Sequence, residues 1–287
     1  MPNVIPLKPA RPDVEGPVPS YGPQIPWRWI LPAIVLVVAV GGGYWLRRQQ
    51  QMNALRLELK EAHASLKSIA EPYRDLREQL EQWIAQAASG SLKPYVDPRL
   101  QLEKLHKGKG LYLRVPLAVA KDSRAVQHAI ELSESDSIPS CLGLNPELAS
   151  QLYVKGNFLM PDWIASVDVT ENPVRLRVMD DELARRARRD APKVAEILKS
   201  EWFLLVLQHG ENRRDAPVDV HLWSLSPKAH LLSATIHANG MIVTARNDIS
   251  GKPALAKKAE VKVGKGAAND CSIAAQLQSL TVHASDS

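Results

Sequence analysis

Asp219 and His221 are the residues of this 287-residue chain whose types and spacing come nearest to chemistry. They stand two apart in the strictly alternating stretch Val218-Asp-Val-His-Leu-Trp223, so a strand there puts both on one face. His230 and His237 lie in or beside the next apolar run, Leu231–His237. A carboxylate that orients an imidazole can activate a nucleophile or steady a metal ligand, which would make this neighbourhood hydrolase-like. The competing reading is a surface pair on a half-exposed strand, and the spacing is too loose to select catalysis.

The remaining motifs carry less. Gly108-Lys-Gly110 and Gly264-Lys-Gly266 have neither the spacing nor the Lys-Ser/Thr ending of a phosphate-binding loop. The second also has Asn269 where a dinucleotide fingerprint needs its last glycine. There is no His-Glu-x-x-His and no Gly-x-Ser-x-Gly. The two cysteines, Cys141 and Cys271, sit in no Cys-x-x-Cys, which argues against thiol redox chemistry and metal ligation. An even pair fits one disulfide closing a long loop; two separately buried thiols are the alternative. No catalytic, cofactor or metal residue is therefore assigned, and the chain reads as a non-enzyme with no cofactor.

The elements that would position these residues hang from the amino-terminal part. Residues 1–28 form a proline-rich tail, with eight prolines before Trp27 and no hydrophobic period, and are expected to be disordered or polyproline-like. Residues 29–46 are eighteen without a charge. A helix of that length covers about 27 Å, close to the bilayer hydrocarbon thickness. Trp27, Trp29, Tyr44 and Trp45 with Arg47 and Arg48 mark its ends as interface anchors. The run is too long for a signal-peptide core and ends on bulky residues, so it reads as an uncleaved signal anchor.

Residues 47–90 follow as a helix with apolar residues alternating three and four apart. Leu55, Leu59, Leu66, Ile69, Tyr73, Leu76, Leu80 and Trp83 lie on that seam, the pattern of a coiled coil. The seam serves either association with another helix or packing on the chain's own domain. Pro72 is expected to kink or end the helix near Glu71.

Residues 91–287 are enough for one α+β domain with its own core. Leu111–Val119 predicts a strand, with Pro116 at an edge or bulge. Asp122 and Ser123 predict a helix start running to about Leu132, and Asn145-Pro146-Glu147 another. Trp163–Thr170 alternates as a strand. Arg177–Ser200 reads as a solvated helix laced with Asp181–Arg185 and Glu182–Arg186 pairs, ended by Asp190 and Pro192. A phosphate-binding face is the sharper alternative for its arginines. Trp202–Gln208, Val218–Trp223, Leu231–His237 and Met241–Arg246, the last two joined by Asn239-Gly240, predict an antiparallel meander of four strands. The lysine-rich stretch 250–270 reads as a loop, and Cys271–Leu280 as a closing helix.

The net charge of +5 is spread along the chain and does not point to nucleic acid. The expected partners are membrane lipid and a protein, or a second copy, meeting the heptad helix; no small-molecule ligand can be inferred. Flanking charges nearly balance across the span. The cysteine pair and the size of the carboxy-terminal part favour a cytoplasmic tail and a periplasmic or otherwise extracytoplasmic domain on the inner membrane. The chain thus reads as a bitopic interaction or scaffold protein of a cell-envelope assembly. The alternatives are a membrane-tethered hydrolase and a ligand sensor acting through a partner.

Overall fold

The unbroken apolar run Trp202–Leu207 has no polar side to turn toward water, so as a strand it needs cover on both faces. In the computed structural model, which describes residues 27–133, 135–210, 216–237 and 267–285, it is the core of a central strand with that cover. The chain divides after Gln51 into two units, the second beginning at Met52.

In chain order, α1 (Trp27–Ala64) and α2 (Lys67–Ala88) are followed by β1 (Tyr95–Val96), α3 (Leu102–Leu105) and β2 (Gly110–Pro116). Next come α4 (Leu117–Ala120), α5 (Ser123–Glu131), α6 (Ile138–Cys141), β3 (Glu147–Leu148) and α7 (Ala149–Gly156). After a 3-10 turn, Asn157–Leu159, stand α8 (Pro161–Asp168), α9 (Pro173–Arg189) and α10 (Ala191–Ile197). The chain closes with β4 (Trp202–Gln208), β5 (Val218–Leu225), β6 (Lys228–Ile236) and α11 (Ala267–Ser285).

The sheet runs β1-β6-β5-β4-β2-β3. Strands β4, β5, β6 and β1 are antiparallel neighbours, but β2 lies parallel to both β4 and β3. The fold is therefore mixed helix and sheet with a mixed sheet. Among the described residues the expected meander is seen as β4–β6, and on the other side of β4 the sheet turns parallel, because the β2-to-β4 connection carries a run of helices. The expected fourth strand, Met241–Arg246, its Asn239-Gly240 turn and most of the 250–270 loop lie outside the described residues.

Alternation along the strands builds two cores. Leu111, Leu113, Val115, Phe203, Leu205, Leu207 and Trp223 face the first, with α2, α4, α5 and α7–α10. Tyr112, Trp202, Leu204, Val206, Val220 and Leu222 face the second, under α6 and α11.

Several local expectations change. Most of Trp163–Thr170, up to Asp168, belongs to helix α8: Pro161 at the first position and Asp162 in the first turn start it, and Trp163, Ile164 and Val167 fit a helical face as well as a strand. Asn145-Pro146-Glu147 does not open a helix, because Glu147 and Leu148 pair with Leu111 and Tyr112 before α7 begins. The Leu111 strand ends at Pro116, which has no N–H to continue the ladder. Pro72 does not end the helix near Glu71, since α2 runs through it to Ala88. The chain breaks earlier, at Ser65–Leu66, which puts Pro72 in the second turn of α2. As expected, Asp122 caps α5 by accepting from the Arg124 N–H at 2.9 Å, and Asp190 closes α9.

In the first unit, the large side chains from Leu31 to Leu46, Tyr44 and Trp45 included, are exposed. Helix α1 is long and apolar enough to cross a membrane, and its most apolar stretch has no buried residue. In the second unit, the heptad seam packs on its own domain. Leu59, Tyr73, Leu80 and Trp83 are buried in the first core, and Leu55, Leu66, Ile69 and Leu76 pack against it. The physical cause is the wide apolar stripe of α2, where Ala70, Tyr73, Leu80, Ile84 and Ala87, with the buried Arg77 among them, recur at three and four and fill the sheet's open face. Of the two readings of the seam, packing within the chain is the one observed.

Candidate functional site

Strand β5 does carry Asp219 and His221 on one face, but their partners diverge. Asp219 accepts from the Thr235 hydroxyl at 2.6 Å, as the register opposing the two residues allows, and pairs with His209 Nε2 at 2.6 Å. His221 is only 4% exposed, and neither ring nitrogen has a hydrogen-bond partner. It stacks on Trp223 at 5.5 Å and stands 6.0 Å from His230. Burial, reinforced by His230 and opposed by Asp219, pulls the imidazole down to about 4. Burial also lowers His230. His237 is exposed, and its carbonyl accepts from Gln276.

The Thr235 hydroxyl donates to the Asp219 carboxylate and not to His221. Among the described residues no group of three or more His, Cys, Asp or Glu could hold a metal ion. Sequence reading missed His209 and Thr235. Counting the hairpin register would have found them, since Asp219 opposes Thr235 directly and Leu207 on the other side, two residues from His209.

On the second face, Cys141 and Cys271 come within disulfide distance, with Cα atoms 5.1 Å apart, and so link α6 to α11. Beside them Arg114 donates to Asp136 at 3.1 Å and to Asp270 at 2.9 Å, while the Tyr112 hydroxyl donates to Asp136 at 2.5 Å. Burial and then the Asp136 charge push the Tyr112 phenol well above its usual value, so it stays a donor. Both carboxylates also accept backbone N–H groups, from Ile138 and Ser137. This cluster seats α11 on the sheet.

A concavity of about 590 Å³ lies where β2 and β3 begin, against α7 and α10. Lys109, Lys155, Lys193, Glu147 and Glu196 supply its charges. Glu196 receives Lys109 Nζ at 2.6 Å and Lys199 Nζ at 2.5 Å, and these two, Lys109 first, hold its carboxyl down to about 2. The Gly108-Lys-Gly110 motif acquires a packing reason. A Cβ on Gly110 would lie 2.1 Å from the Trp202 ring, so the glycine lets β2 pass that indole and leaves Lys109 at the cleft. Gly264-Lys-Gly266 lies outside the described residues.

Beside the seam residues of α2 lies a polar hub. Glu81 accepts from Arg77 Nε at 3.0 Å, the Tyr153 hydroxyl at 3.0 Å and Gln127 Nε2 at 3.1 Å. The Arg77 guanidinium sits 4.3 Å over the Tyr153 ring. Gly156 makes room for Tyr73, whose ring stands 2.2 Å from where a Cβ would be. Upstream, Lys60 pairs with Asp168 at 2.7 Å, and His63 Nε2 meets the Phe158 carbonyl at 3.1 Å.

Comparison of the chain with protein-family models, with curated proteins and with solved structures returns no match.

Proposed function

We propose that this chain is a single-pass membrane protein that holds a mixed α/β binding domain at the membrane surface as a non-catalytic part of a cell-envelope assembly. The observation that carries this reading is the exposed apolar surface of α1: side chains from Leu31 to Leu46 have no cover among the described residues, and such a surface needs lipid or another apolar partner. Tyr44, Trp45, Arg47 and Arg48 then serve as interface anchors. The amino terminus is cytoplasmic and the domain extracytoplasmic on the inner membrane, a sidedness supported by the cysteine pair at disulfide distance. The partner meets the domain's outer surface and not the buried seam, which makes α2 part of the domain instead of a free post. Alkaline washing of membrane vesicles should leave the intact chain in the pellet, and protease added outside spheroplasts should degrade the domain. Release into the wash would remove the anchor, and a protected domain would reverse the sidedness.

A second reading, a ligand sensor acting through a partner, draws on the cleft at Lys109 and Lys155, whose charged lining suits a small polar anion. Differential scanning fluorimetry of the full chain in detergent with inorganic phosphate and with simple dicarboxylates tests it. A melting temperature that stays flat for all of them would leave the scaffold reading alone.

A further inference from the structure

We infer that the amino-terminal end of α9, with Val169 just before it, rests on an anionic lipid surface as a second, reversible membrane contact. The inference rests on the anchored reading above. Val169 is 77% exposed, Val174 66% and Val178 58%. Val174 and Val178 are one turn apart on α9, so they share a face. Valine is a poor helix former, and three exposed ones around one helix start gain nothing from water or from helix propensity. An apolar strip edged by long cations is the composition of a helix that lies in the interface plane.

Charge agrees. Glu182 takes Arg186 and Asp190 takes Arg189, but Arg175 and Arg177 have no carboxylate within 4.0 Å among the described residues. Asp168 is neutralised by Lys60, Glu171 is an exposed acid between Val169 and Val174, and Asp180 and Asp181 follow Val178, so the cations of the patch are Arg175 and Arg177 at the amino-terminal end of α9. Arginine stems can lie along apolar surface while their heads reach lipid phosphates.

What selects lipid as the occupant is the tether. Arg56 donates to the Thr170 carbonyl at 2.9 Å, next to Val169. Arg56 is ten residues beyond Leu46, the last residue of the apolar run. Even fully extended, that link spans only about 35 Å. The bilayer is thus held near this patch at high effective concentration, whereas a soluble partner or a second copy must arrive by diffusion.

The test places a photo-crosslinking amino acid at Val178, and in a second variant at Val174, in the full chain reconstituted into vesicles. A third variant carries it at Leu36 in the apolar run. Vesicles contain either phosphatidylcholine alone or phosphatidylcholine with a quarter phosphatidylglycerol. We expect lipid adducts at Leu36 in both, and at Val178 and Val174 mainly with phosphatidylglycerol. Arg175→Gln together with Arg177→Gln should cut the Val178 adduct several-fold without changing the one at Leu36. Lipid adducts at Leu36 with none at either valine would overturn the inference and leave the anchor standing. Adducts at the valines to a second copy or another protein would overturn it too. No lipid adduct at any position would remove the anchor and this contact together.

Discussion

The indole of Trp83 lies nearly parallel to that of Trp223, 6° apart in plane with centroids separated by 5.3 Å. One ring comes from α2, the other from the middle of the sheet, and Phe203 stacks on the far partner at 5.8 Å. The helix that follows the apolar run is therefore a wall of the first core.

Trp83→Ala should accordingly destabilise the domain by about 3–5 kcal/mol, the usual cost of removing a large buried aromatic. Leu80→Asp should prevent stable folding, because it buries a carboxylate among apolar neighbours. Denaturant unfolding of the detergent-solubilised chain measures the first, and circular dichroism with limited proteolysis the second. A folded Leu80→Asp protein that has merely lost self-association would restore the picture of a free coiled-coil stalk.

The Glu81 hub has a different sensitivity. Its three donors come from α2, α5 and α7, so one carboxylate ties the helix to two neighbours. Glu81→Ala leaves the mostly buried Arg77 without its carboxylate, which typically costs about 3 kcal/mol. Replacing both, Arg77→Met with Glu81→Leu, should cost much less, since no charge is then stranded. A double-mutant cycle read by urea unfolding checks this, and additive losses would show that the two residues act independently.

These side chains also mark where sequence reading succeeds and where it stops. The apolar run, the cap at Asp122, the central strand and the β4–β6 order were legible because local period and punctuation decide them. The parallel placement of β2 beside β4 was not legible, because strand order depends on how a long helical connection returns. The heptad seam showed that α2 is amphipathic but not what its apolar face meets. For Trp163–Thr170, both periods fit eight residues, and only Pro161 broke the tie. The site region was half legible: Asp219 and His221 were found on one face, but which of them would be solvated and which buried depends on cover from other elements.

Cys141 and Cys271 are 130 residues apart in sequence, so a bond between them closes a long loop. In the chain-entropy model such a loop stabilises by about 5 kcal/mol. Reductant should shift the chain's gel mobility and lower its melting temperature. Cys271→Ser should lower stability similarly while α11 stays docked through Arg114 and Asp270 at 2.9 Å. Asp270→Asn in that background should then release α11, seen as faster amide exchange across 267–285. Two thiols that alkylate in unreduced protein would show that the pair is not bonded.

His221 gives a pH dependence whose sign is fixed by its surroundings. Its folded value of about 4 lies below the free value of 6.5, with burial the main cause, His230 adding to it and Asp219 opposing. Below pH 6.5 the unfolded chain takes up a proton that the folded chain refuses until about pH 4, so stability is full above pH 6.5 and declines as pH falls through that window. The loss from this residue reaches at most about 3 kcal/mol by pH 4. Because neither ring nitrogen has a partner, His221→Leu removes a buried polar group that no hydrogen bond compensates. It should therefore leave stability at pH 7.5 unchanged or raise it by about 1 kcal/mol, and flatten the decline between pH 6.5 and 4.5. Urea midpoints at the two ends of that range measure both effects. A variant as acid-sensitive as the parent would assign the decline to other groups, with His230 the next to test.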